Sequence, residues 1–419
     1  MSELTISSTN WLAVSLRNGA AIVFNLNDTQ QWQYLKPDVS NDKQQKTEDD
    51  DENSCDLNRN LIRFTPDGQK LAINGQNKQI YIYIPSDDKK TYWQLQRIIT
   101  VIKRASALDL TNEFLLIADK SGDVYQTNLS TTTTDLVLTA DDCIMGHLSM
   151  LLDISFVRTN DNQEFILTAD RDEKIRLSHY PNAYNIEGYC LGHREFVSHV
   201  KLIDSNRILS ASGDGTLRLW HLPDCVQVNV FDSKTFSSSS KQIFYGQSST
   251  SENQDSSSLN HSIWKIDVTS TSDVFIAVSI YADRNHSIYL TTLTNLEKSN
   301  NEQRKLTFDS KYGTIVNYCL SLNDLYILFD NHTLFKVNTP AVLACDKNEY
   351  IQDNDLSISN ILATKEYNVM NNINSLEIIF KQLFKTRGDP GDSSYYKRKN
   401  QRLEEQEEKR RKKATVNNN

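Results

Sequence analysis

The chain has 419 residues, 38% of them hydrophobic and 24% charged, with a formal net charge of −9. That is enough apolar material for one large or two medium cores, and the acidic balance counts against a body that binds nucleic acid by charge alone. No stretch reaches the roughly 18 consecutive apolar residues that a bilayer-crossing helix needs, and the opening MSELTISSTNWLAV lacks the basic and apolar regions of a secretory leader.

In chain order, WLAVSLRNGAAIVFNL (11–26) is the first predicted strand–turn–strand unit. The polar, acidic run DVSNDKQQKTEDDDENSCD (38–56) follows and is expected to be a surface loop. FTPDGQKLAINGQNKQIYIYI (64–84) and NEFLLIADKSGDVYQTNL (112–129) repeat the unit, with Gly, Asp or Asn in the turn and period-two alternation in the strands. Two stronger copies come next. GHLSMLLDISF…EFILTADRDEKIRLS starts at Gly146, and GHREFVSHVKL…NRILSASGDGTLRLW starts at Gly192, 46 residues later.

After these, residues 231–260 are Ser-rich with little apolar content and are expected to form a second loop insertion. DVFIAVSIYADRNHSIYLTTL (273–293) and DLYILFDNHTLFKVN (324–338) complete seven units. Beyond about residue 340 the pattern changes. Residues 341–396 contain helix-compatible stretches, and 397–419 form a basic tail. Within the tail, KRKNQRLEEQEEKRRKK (397–413) has nine Lys/Arg against four Glu, a local +5 that leaves the rest of the chain near −14.

Seven even β units with no long helical period define an all-β chain. The expected fold is a seven-bladed β-propeller over residues 1–340, which leaves only short, protected sheet edges. The insertions at 38–56 and 231–260 interrupt it, and a helical and basic extension follows.

Catalytic signatures are missing from the sequence. There is no GxSxG, P-loop, HExxH or GxGxxG after a strand. Ser212-Gly213-Asp214-Gly215 fits a tight turn within a blade. The six cysteines (Cys55, Cys143, Cys190, Cys225, Cys319, Cys345) lie far apart without CxxC or zinc spacing. They point to a reducing compartment and to no metal site. The stretch TADRDEKIRLS (168–178) packs six charged residues into positions 170–176. Alternating signs in a turn argue against a general acid/base site. A solvated turn and a docking patch both remain open on spacing alone.

The Gly-His starts and Trp220 resemble the WD-repeat family, with Trp220-His221 where that family usually has Trp-Asp. That resemblance implies a structural network from His through Ser or Thr to Asp and Trp, carried by His193, Ser210, Asp214 and Trp220 in one unit. In the preceding unit it would run through His147, Thr168 and Asp172, with Ser178 in place of the Trp. Taken together, GHLSMLLDISF, FILTADRDEKIRLS and CLGHREFVS resemble the WD-repeat non-catalytic subunit of the tRNA (guanine-N7)-methyltransferase, closely over residues 146–220.

This resemblance implies a non-enzymatic scaffold that binds and stabilises a separate methyltransferase chain in a heterodimer. S-adenosylmethionine and the N7-methylguanosine chemistry on the tRNA variable loop would belong to that partner, with no cofactor on this chain. The implied docking residues are Asp170, Arg171, Glu173, Lys174 and Arg176, with Arg176 foremost as the ion-pair partner of a carboxylate. The tail cations Lys397, Arg398, Lys399, Lys409, Arg410, Arg411, Lys412 and Lys413 have three readings: a solvated helix, a nuclear import signal, or tRNA phosphate contacts. A nuclear location, alone or shared with the cytoplasm, follows from the second. A generic WD-repeat adaptor, such as a ubiquitin-ligase substrate receptor, is the competing expectation.

Overall fold

Each of the seven predicted strand pairs is an antiparallel hairpin in its own sheet, in the middle of the sheet for the first six and at the edge of a three-stranded sheet for the seventh. The computed structural model describes residues 2–16, 19–37, 60–75, 78–86, 91–129, 135–245, 261–269, 273–282, 285–298, 302–331, 333–345, 349–351 and 383. The acidic stretch 38–56, the tail 397–419 with all its cations, and most of 341–396 lie outside the described residues.

Blade 1 consists of β1 (Leu4–Ile6), β2 (Trp11–Ser15), β3 (Ala21–Asn25) and β4 (Asp28–Leu35). Blade 2 holds β5 (Ile62–Phe64), β6 (Leu71–Asn74), β7 (Gln79–Pro85) and β8 (Trp93–Thr100). Blade 3 begins with β9 (Ala105–Leu110), β10 (Phe114–Asp119) and β11 (Asp123–Asn128). The chain then lays β12 (Asp135–Val137) parallel to β8 before returning as β13 (Cys143–Gly146). Blade 4 is β14 (Leu151–Arg158), β15 (Glu164–Asp170), β16 (Ile175–His179) and β17 (Ile186–Cys190). Blade 5 is β18 (Val197–Asp204), β19 (Arg207–Ser212), β20 (Thr216–His221) and β21 (Val226–Asp232).

Helix α1 (Ser233–Ser239) and β22 (Lys241–Tyr245) lead into blade 6, formed by β23 (Ser262–Val268), β24 (Phe275–Ala282), β25 (Asn285–Thr292), α2 (Leu293–Glu297) and β26 (Arg304–Phe308). Blade 7 shows β27 (Ile315–Ser321), β28 (Asp324–Phe329) and β29 (Leu334–Asn338), followed by α3 (Thr339–Ala344) and β30 (Glu349–Ile351).

The core is a ring of layers between blades. Seven apolar clusters each join residues of two neighbouring blades. Because blades stack face to face, the middle strands are buried on both sides. FLLIAD of β10 is buried at every position, and AIVFN of β3 at all but its last. Period-two alternation, expected for every unit, therefore gives way to continuous apolar runs in these strands, as two-sided burial requires. Fully burying each such side chain contributes about 1.5–3 kcal/mol.

Blade 7 packs Cys319, Tyr326, Leu328 and Leu334 against Leu4, Leu12, Val14 and Phe24 of blade 1. The Asn317 amide there donates to the Ser2 carbonyl at 3.0 Å. Inner-strand carboxylates also bind the next blade. Asp109 accepts from Phe156 N (2.6 Å), Asp153 from Val200 N (2.9 Å) and Asp267 from Leu320 N (2.9 Å). Burial pushes the Asp109 carboxyl up to about 6.

Two expected boundaries are corrected. Residues 231–245, placed within a loop insertion, are a strand end, a helix and a strand. Asp232 caps α1 by accepting from Lys234 N, and Phe236 and Ile243 are buried in the layers on either side of blade 6. Two apolar side chains suffice to anchor an otherwise serine-rich stretch. Nor does packing stop at residue 340. Val342 joins the layer between blades 6 and 7, β30 pairs with β22, and Leu383 is buried.

Candidate partner-docking edge

In blade 5 the indole Nε1–H of Trp220 donates to Ser210 Oγ at 2.8 Å. Ser210 Oγ lies 2.7 Å from His193 Nε2, and His193 Nδ1 lies 3.1 Å from Asp214 Oδ2. With the carboxylate as acceptor, the consistent tautomer places the proton on Nδ1, so that Ser210 donates to Nε2. Burial lowers the imidazole pKa, so this is a neutral histidine bound to an anion. Burial works against the Asp214 charge, but hydrogen bonds from His193, Thr216 and Arg194 N outweigh it and hold the carboxyl below its usual range. Both ring nitrogens are engaged, and the histidine has no free nitrogen for general-base work.

Blade 4 builds only half of this network. Thr168 Oγ1 lies 3.0 Å from His147 Nε2. The charges acting on His147 are Arg176 and Lys174, which together with the larger effect of burial push it down to about 3. Asp172, expected to complete the chain, is half-buried in the same turn. The carboxylate that organises this turn is Asp170, whose Oδ1 accepts from Lys174 N at 2.9 Å. Asp170 is buried, and burial raises its carboxyl to about 6.

Arg176 also departs from its expected role. Only 8% of it is exposed. Its Nε donates to Ser178 Oγ at 3.0 Å, and its Nη1 donates to the Gly146 carbonyl at 3.1 Å. Tyr189, directly opposite on β17, hydrogen-bonds it as well. The corresponding Arg218 of blade 5 lies likewise against the Gly of its Gly-His pair, with Nη1 2.5 Å from where a Cβ on Gly192 would stand. Arg176 is thus a repeat-position side chain that folds over Ser178, where blade 5 has an indole. Of the five docking candidates, Asp170 and Arg176 are committed inside the chain. Lys174 is exposed, and Arg171 and Glu173 are half-buried. Glu173 has φ +69, in the left-handed region.

A surface that sequence reasoning missed lies beside this turn. Among the described residues, seven of the twelve exposed large hydrophobics fall between positions 184 and 230. Ile186 and Tyr189 stand on β17 with Leu191 (63% exposed) just beyond it, and Val226, Val228 and Val230 stand on β21. The VQVNV run of β21 could have revealed them, since it alternates apolar with polar residues, unlike the continuously apolar middle strands between blades. The outer strands of blades 2 and 6 are covered by β12 and β22, whereas those of blades 4 and 5 carry no added strand among the described residues. An uncovered apolar sheet edge marks an interaction surface.

On the channel side, the charged groups among the described residues are largely paired with one another. The cavity there, of about 160 Å³, is lined by Glu3, Arg63, Lys201, Lys265, Asp267 and Asn317. These pair among themselves, as in Arg63–Glu3 (2.7 Å), Lys201–Asp267 (3.8 Å) and Lys265 to Asn317 (2.6 Å). No group of three or more His, Cys, Asp or Glu among the described residues could hold a metal ion.

Seven radial, largely antiparallel sheets, one of them carrying a His–Ser–Asp–Trp network, define a WD-repeat propeller. A chain in a crystal structure of the mitotic checkpoint complex shares the fold with a TM-score of 0.53 and 14% identity, over 81% of this chain and 88% of that one. The family model for the tRNA methyltransferase TRM82 WD40 domain matches residues 25–141 and 138–312, and the chain belongs to that family.

Similar curated proteins are named as the tRNA (guanine-N(7)-)-methyltransferase non-catalytic subunit. WDR4 of Mus musculus is 39% identical over 176 residues, covering 40% of this chain and 39% of the relative. WDR4 of Homo sapiens is 40% identical over 164 residues, 38% of this chain and 36% of the relative. The wuho protein of Drosophila melanogaster is 37% identical over 164 residues, with the same shares. The chain thus spans about two fifths of the length of the curated relatives it matches.

Proposed function

We propose that this chain is the non-catalytic subunit of a tRNA (guanine-N7)-methyltransferase, binding a catalytic chain along the outer edge of blades 4 and 5. The observation that carries the reading is the concentration of exposed apolar side chains on β17 and β21, next to the exposed Lys174 and the left-handed Glu173. An apolar centre with a charged rim is the composition of a protein–protein interface. In this reading the partner binds S-adenosylmethionine and transfers the methyl group to N7 of guanine in the tRNA variable loop. The propeller stabilises the partner's active form, in a nuclear complex. The tail cations Lys397–Lys399 and Lys409–Lys413 would add phosphate contacts or direct import.

The test is co-expression with a tRNA (guanine-N7)-methyltransferase catalytic chain, followed by size-exclusion chromatography and a methylation assay. One co-eluting, active heterodimer is expected, with no methylation by the propeller alone. Arg176 is not a residue to reverse, because a carboxylate there would be buried among groups that meet a guanidinium. Lys174→Glu, and separately Leu191→Asp with Val228→Asp, should leave the propeller folded and release the partner. A desolvated interfacial charge is worth about 2–5 kcal/mol, against about 0–1 kcal/mol for a solvated one. Undiminished co-elution of all these variants would refute the docking edge.

A further inference from the structure

Cys190 ends β17 of blade 4 and is fully buried, while Cys225 is half-buried in the turn between β20 and β21 of blade 5. Both belong to the apolar layer between these blades, and their thiols hydrogen-bond one another. Glycine makes the approach possible. A Cβ at Gly188 would lie 3.1 Å from the Cys225 sulfur. Gly188 and Cys190 are two residues apart on one strand and share a face, so the sulfur sits over the bare glycine next to Cys190. The Cys225 backbone has φ +55, a conformation that residues with a Cβ adopt reluctantly. A thiol pair therefore spans two blades at the rim of the molecule, one partner within reach of solvent.

We propose that Cys190 and Cys225 form a reversible oxidation site, closed to a disulfide by hydrogen peroxide, which staples the outer strand of blade 4 to the β20–β21 turn of blade 5. The hydrogen bond from Cys190 lowers the Cys225 thiol pKa, while that bond and burial raise the Cys190 thiol, so Cys225 supplies the attacking thiolate. Its sulfur attacks one peroxide oxygen, the O–O bond breaks, and the leaving hydroxide takes up a proton to give water and a sulfenic acid. The Cys190 sulfur then displaces the hydroxyl, which leaves as a second water with the Cys190 proton. Two thiols and one peroxide thus yield one disulfide and two waters, and a small thiol reverses the reaction by exchange. The site does not depend on whether the neighbouring edge docks a partner.

The test treats the purified full-length chain with hydrogen peroxide under native conditions, alkylates the remaining thiols and maps the peptides by mass spectrometry. The peptides containing Cys190 and Cys225 should be joined, and dithiothreitol should separate them. Cys225→Ser should abolish the link, and Cys190→Ser should leave a sulfenic acid on Cys225 that a 1,3-dione reagent traps. Independent alkylation of both thiols in the oxidised wild type, or linkage of Cys225 to another cysteine, would overturn the proposal. If Cys190→Ser does not fold, the wild type and Cys225→Ser, altered at the half-buried member, decide the matter.

Discussion

Glu173 stands with φ +69 where blades 3 and 5 place Gly122 and Gly215. A side chain in the left-handed region costs about 1–2 kcal/mol, so a glycine would fold more comfortably here. Glu173→Gly is expected to raise thermal stability by roughly 1 kcal/mol, while weakening co-purification with the catalytic chain. An unchanged melting temperature would show that a contact of the carboxylate offsets the strain.

Asp170 gives a pH-dependent counterpart. Its carboxyl, raised to about 6 by burial, ionises less readily folded than unfolded, where the value is about 4. Its penalty is absent below about pH 4, grows as pH rises and is complete above about 6, reaching up to about 3 kcal/mol. Asp170→Asn keeps an acceptor for Lys174 N and removes the charge. The stability gain over wild type should be clear at pH 8 and vanish near pH 4, as read from urea midpoints. A gain that does not vary with pH would refute the buried-charge account. His147, pushed down to about 3, acts oppositely. The unfolded chain takes up its proton first, and stability falls as pH drops from about 6.5 towards 3.

At the scale of the strand, β16 and β20 show how one substitution redirects a neighbour. Trp220 completes the hydrogen-bonded chain in β20, and Arg218 lies over Gly192. In β16 the equivalent residue is Ser178, and Arg176 turns its Nε onto that hydroxyl. Arg176→Met should therefore destabilise the fold by about 1–3 kcal/mol, leaving the Gly146 carbonyl and Ser178 without their donor. Arg218→Met, at a more exposed site, should cost less. Equal costs in thermal denaturation would argue against this compensation. The strand pairs were legible because each pairs apolar runs with a turn rich in Gly, Asp or Asn. Helix α1 and β22 were not, since only Phe236 and Ile243 distinguish them from a polar loop, and their value comes from the layers that receive them.

Across the whole molecule, every blade owns half of two apolar layers, and no blade has a core of its own. The ring should unfold as a unit. Asp153→Ala deprives the buried Val200 N–H of its acceptor and should cost about 1–3 kcal/mol. The urea midpoint should fall while the slope of the single transition stays constant. A second transition would show that blades 4 and 5 part from the rest.

The amino-acid sequence by itself determined the number of blades, the order of their strands and the histidine network of blade 5, because these depend on apolar spacing, turn residues and contacts within one repeat. Which charged side chains face water was settled only by tertiary structure. Asp170 and Arg176 look like surface residues in a row of charges, yet neighbouring strands and loops enclose both. The outer strands β17 and β21 mix apolar with polar residues, and their valines, Ile186 and Tyr189 stand exposed because no further strand among the described residues covers them. Exposure is a property of what packs alongside, and spacing along one strand does not fix it.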